Sequence, residues 1–86
     1  MNNTDIVRTR IQDITLHTDD YRVKWAGYAV AYYIYSGRAP SDWIRAFLEA
    51  DTRSLLDYMA SGRDLSDNGL MRRAHTYLKR NHGLSA

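Results

Sequence analysis

Residues 21–37 read YRVKWAGYAVAYYIYSG, and the placement of the rings in this stretch decides the fold class. Tyr21, Trp25, Tyr28, Tyr32 and Tyr35 recur at alternating steps of four and three, which puts them in one line along an α-helix. Val23, Gly27, Val30, Ala31 and Ile34 make a second apolar face, and Ala26, Ala29 and Tyr33 fill much of the arc between. From Trp25 onward no charge appears until Arg38. A helix apolar on every side needs cover on every side, so this helix is expected at the centre of the molecule. Gly37 follows it as a C-terminal helix stop.

The flanking sequence is also helical. Gly62 closes another apolar periodic run, and Pro40-Ser41 and Ser66 stand where helices start. The expected helices cover residues 4–15, 20–36, 42–50, 52–61 and 67–81, and no hairpin pattern appears. The first is the least regular, because its β-branched end ITLHT also allows an extended finish. In the last, Leu70, Met71, Ala74, Tyr77 and Leu78 form one apolar stripe behind Ser66 as N-cap. Trp43, Ile44, Phe47 and Leu48 share a face of the third, and Leu55, Leu56 and Met59 a face of the fourth. The fold class is therefore all-α, a small bundle of about five helices with the aromatic helix at its centre.

A chain of 86 residues, 44% apolar and 26% charged, is expected to form one globular domain over residues 1–86. It has no cysteine, which excludes disulfides, a thiolate zinc site and a cysteine nucleophile. The opening MNNTDIVRTR does not read as a secretory signal. The longest low-charge run, Trp25 to Gly37, falls short of the roughly 20 apolar residues that span a bilayer. No membrane association and a cytoplasmic location are expected. The net charge of +2 does not point to nucleic acid by itself. Ten Arg stand against two Lys, and nine Asp against one Glu. A GC-rich genome accounts for the Arg excess, and Arg is also the cation favoured at interfaces and on phosphates. Asp favours helix starts, in keeping with several short, capped helices.

Sites of chemistry are sparse. His75 and His82 are seven residues apart, about 10 Å by helical rise, too far to share an ion. His17, Asp19 and Asp20 read as the start of the second helix. No phosphate-binding glycine loop occurs, and the serines read as caps. Neither an enzyme, a cofactor, a metal nor a small-molecule substrate is expected.

Three features bear on binding. The aromatic line of Tyr21, Trp25, Tyr28, Tyr32 and Tyr35 reads either as core or as a protein interface, where Tyr and Trp are favoured. As a base-stacking platform it is poorly served, since only Arg22 and Lys24 flank it, at one end. A motif Y-x-x-S-G-R-x-x-S-D occurs at Tyr33–Asp42 and again at Tyr58–Asp67, offset by 25 residues. It reads as a repeated helix stop, turn and helix start, or as two anion sites using Arg38 and Arg63. Arg72, Arg73, Thr76, Lys79 and Arg80 form the polar face of the last helix, either solvated or laid on a phosphate backbone. The expected role is that of a small regulator or inhibitor, of the kind found in bacteria or their phages. It would bind and occlude a larger protein through Arg38, Arg63 and the aromatic line, and would be a homodimer. The alternative is a DNA-binding regulator that uses the helix at 67–81.

Overall fold

The structure, a computed structural model, describes residues 2–83. Five helices follow one another: α1 (Asn3–His17), α2 (Tyr21–Tyr35), α3 (Trp43–Glu49), α4 (Thr52–Ala60) and α5 (Asp67–His82). Among the described residues there is no strand. Short polar side chains start the longer helices. Asn2 accepts the Asp5 N–H at 2.8 Å, Asp20 the Arg22 N–H at 2.9 Å and Ser66 the Gly69 N–H at 3.2 Å. Gly83 ends α5 in the left-handed region, at φ 66°. Asp51 stands at the N-cap of α4, where its carboxylate takes the Ser54 hydroxyl at 2.7 Å.

The helix expected over residues 4–15 forms and runs on through Ile14 and Thr15 to His17, so its β-branched end is helical and not extended. Thr15 is buried, and its hydroxyl donates back to the Gln12 carbonyl at 3.0 Å, which satisfies it within the helix. Its methyl lies against Gly27, where any Cβ would overlap it. Only glycine at this position lets α1 and α2 approach so closely.

α2 packs against α1, α4 and α5, with α3 placed against α1 and α5. Val23, Ala26 and Val30 of α2 join Val7 and Ile11 of α1, Leu55, Leu56 and Met59 of α4 and Leu70, Ala74 and Leu78 of α5 in one buried cluster. Trp43 and Phe47 of α3 belong to it too, their rings edge to face at 5.5 Å. The full enclosure expected of α2 does not occur. Neighbours cover the arc through Val23, Ala26, Gly27 and Val30, and the opposite side stays open.

Short helices leave their last carbonyls without intrahelical donors. Here arginines supply them. Arg10 Nη1 donates to the Leu48 carbonyl at 2.9 Å, and Arg22 Nη1 to the Ala60 carbonyl at 3.5 Å and to the Gly62 carbonyl just past the helix at 3.1 Å. Arg73 reaches from α5 to the Tyr58 carbonyl with Nε at 3.1 Å and Nη2 at 2.7 Å. Part of the Arg excess thus has a structural use. Among the described residues no helix is long and apolar enough to cross a membrane.

Candidate protein-interaction surface

The open side of α2 is the aromatic line. Tyr21 is 67% exposed, Trp25 47%, Tyr28 58%, Tyr32 53% and Tyr35 46%. Trp25→Ala, which would unfold a chain whose α2 was enclosed on every side, should therefore leave this one folded by circular dichroism. The rings are held as well as exposed. The Trp25 indole N–H donates to the Leu65 carbonyl in the α4–α5 turn. The Tyr35 hydroxyl donates to the Thr4 carbonyl of α1 at 3.3 Å. Partial burial pushes the pKa of that hydroxyl up, Arg8 pulls it down, and Asp5 adds to the rise. Arg38 lies over the Tyr32 ring, 5.4 Å from its centre.

Two shallow recesses run along the line. Tyr21, Lys24, Trp25, Tyr28 and Leu65 line the first, and Trp25, Tyr28, Ala29, Tyr32 and Asp67 the second. They share Trp25 and Tyr28, so they form one continuous groove beside the α4–α5 turn. Leu65 and Asp67 did not stand out in the sequence as part of this surface. Their place depends on how the turn folds back on α2, and no local pattern encodes that. The groove offers apolar ring area with polar tips, the chemistry of a binding surface. Among the described residues no three His, Asp or Glu gather as a metal site.

The repeated motif recurs in its first half only. Ser36 and Ser61 each cap a helix end and donate to the carbonyl of Tyr33 or Tyr58, at 3.3 and 2.7 Å. The second halves differ. Gly37 takes φ 75°, whereas Gly62 keeps a negative φ beneath the Arg73 side chain. Ser66 caps α5, while α3 starts at Asp42 with no side-chain cap. The two arginines part company: Arg38 joins the aromatic line, and Arg63 lines a depression with Asp64, Arg72, Arg73 and Thr76. The Asp64 carboxylate fills the space above Gly69 at the start of α5, where an outside anion would bind. The Ser66 hydroxyl and N–H, with Arg72 beyond, hold its pKa below the usual carboxylate value.

On the last helix Arg72, Lys79 and Arg80 are exposed, and Thr76 bonds back to the Arg72 carbonyl at 3.0 Å. Arg73 is committed elsewhere. Beyond the Tyr58 carbonyl it donates to Ser61 Oγ at 2.8 Å and lies 4.4 Å from the centre of the Tyr58 ring. Arg22, near the aromatic line, is likewise drawn to the end of α4, which further weakens a base-stacking platform there. Arg73→Lys keeps the charge but loses the planar fork, so it should cost about 1 kcal/mol in urea unfolding. Arg72→Lys should stay within about 0.5 kcal/mol. Equal, negligible costs for both would show that the Arg73 clamp contributes nothing.

Comparison with known proteins gives no matching family model, no matching curated protein and no matching solved structure.

Proposed function

We propose that this chain is a non-enzymatic interaction protein, a small regulator or inhibitor that binds a larger protein through the aromatic face of α2 and acts by covering a surface its target needs. The observation that carries this reading is the exposure of five large rings on one helix face. Loose folding is not their origin. The accessible surface is 5225 Å², and a compact monomer of 10.0 kDa is expected to show about 5,200 Å². The excess lies in what the surface is made of. Contiguous apolar patches beyond a few hundred Å² mark interaction sites, and Tyr and Trp are the residues on which binding energy concentrates. Arg38 extends the face at one end. Arg63 lines the depression beside Arg72 and Thr76, and the proposed face does not use it.

The test is affinity capture from the lysate of the cell that makes the protein, with wild type and Tyr28→Arg compared side by side. Tyr28 is exposed, so the variant should fold with an unchanged circular dichroism spectrum. It should lose the captured partner, at a cost of about 2 kcal/mol or more. Equal capture by both chains would overturn the reading.

A second reading is favoured by Arg72, Lys79 and Arg80, which are exposed and, among the described residues, form no ion pair. They would let α5 lie on a nucleic-acid backbone. Affinity for a random duplex should then fall with salt by a slope of about −0.9 per phosphate neutralised. No binding at low salt removes this reading.

A further inference from the structure

We infer that the aromatic line of α2 is a self-pairing seam. In the isolated protein a second copy of the chain lies on it, α2 against α2, antiparallel about a two-fold axis beside Tyr28. The inference rests on the reading of this face as the binding surface and names its occupant. Spacing carries it first. Steps of four, three, four and three along all of the 15-residue α2 are the a and d positions of a two-helix seam. A stripe confined to those positions is narrower than the face a helix turns to its own core. The same helix shows both kinds of face. Val23, Ala26, Gly27, Ala29 and Val30 spread broadly against the rest of the chain, while the rings form the narrow line opposite.

Charge chooses the occupant and its direction. At the Tyr21 end stand the carboxylates of Asp19 and Asp20 and the ammonium of Lys24, with Arg22 turned away to α4. At the Tyr35 end stand the Arg38 guanidinium, over the Tyr32 ring, and the Arg8–Asp5 ion pair of the α1 turn that Tyr35 bonds. With the Arg22 guanidinium drawn off to the end of α4, the exposed side of the first end is left net acidic, and Arg38 beside the Arg8–Asp5 pair makes the second net basic. An antiparallel copy sets each end against its opposite, and a parallel copy sets like against like. The surface is therefore complementary to itself under a two-fold rotation, as isologous dimers require. Asp67 lies near the middle of the line and favours neither direction.

Area completes the case. Rings of this kind bury roughly 150–250 Å² each. Half-exposed as they are, the five present on the order of 1,000 Å² in a pair, near the lower bound for a specific interface. Lys24 and Leu65 along the groove extend it. A face paired in this way is withheld from other proteins until the dimer separates.

Sedimentation velocity from micromolar to millimolar concentration should show wild type at twice its 10.0 kDa chain mass and Tyr28→Arg at the chain mass, both equally helical. The cysteine-free chain allows a directional test. Tyr21→Cys and Tyr35→Cys, mixed and oxidised, should form the mixed disulfide, and neither should cross-link efficiently alone. Cross-linking of each variant with itself and not with the other would overturn the antiparallel arrangement. A dimer that survives Tyr28→Arg would overturn the seam. Wild type that stays at the chain mass up to millimolar concentration would overturn self-pairing and leave the groove to a helix of another protein. Tyr28-dependent capture would then still stand, so the two readings fail separately.

Discussion

Phe47→Ala is expected to cost about 3–5 kcal/mol, the range for deleting a fully buried aromatic side chain. Phe47 has no exposed surface and meets Trp43 edge to face. Its removal therefore opens a cavity and breaks a ring pair on a helix of seven residues, which has few contacts to spare. Stabilities of about 0.05–0.15 kcal/mol per residue put the whole chain near 4–13 kcal/mol. At about 4–8 °C per kcal/mol in domains of this size, the melting temperature should fall by 12 °C or more. Thermal unfolding followed by circular dichroism measures it. A drop of a few degrees would show that α3 is not part of the core.

Gly27→Ala should also destabilise, although alanine is the better helix former by about 1 kcal/mol. The added Cβ would overlap the Thr15 methyl of a buried residue, and overpacking of this kind costs roughly 1–3 kcal/mol. With propensity set against it, a net loss of about 1 kcal/mol is expected. The sign should reverse in a Thr15→Ala background. With the methyl gone, the nearest remaining atom is Ile11 Cγ2 at 3.4 Å, an ordinary contact, and the propensity gain is left standing. The coupling, read from denaturant midpoints of the four variants, should exceed about 1 kcal/mol. Additive effects would mean that the two helices do not meet at Gly27.

This pair also shows where sequence reading stops. The β-branched ITLHT argues against helix as long as it is read alone. The helix holds because Thr15 finds Gly27 twelve positions along the chain, and packing outweighs a few tenths of a kcal/mol in propensity. The stripes of α4 and α5 were legible since Leu55, Leu56 and Met59, and Leu70, Ala74 and Leu78, keep helical spacing between polar neighbours. α2 offers no such contrast. Its apolar residues surround it, and periodicity cannot say which of two apolar faces meets the chain's own core. The aromatic line was thus visible as a line but not as a surface. Arg73 fails for a similar reason: its position on the wheel is polar, but its length carries the guanidinium across to Tyr58.

The two tryptophans divide the molecule into separate optical reporters. Trp43 is 1% exposed in the core, and Trp25 is 47% exposed on the groove. An indole in water emits to the red of one in a dry interior, so unfolding moves the Trp43 emission red, while cover over the groove moves the Trp25 emission blue. Trp25→Phe leaves a chain whose fluorescence reports folding alone, and Trp43→Phe one whose fluorescence follows occupancy of the groove.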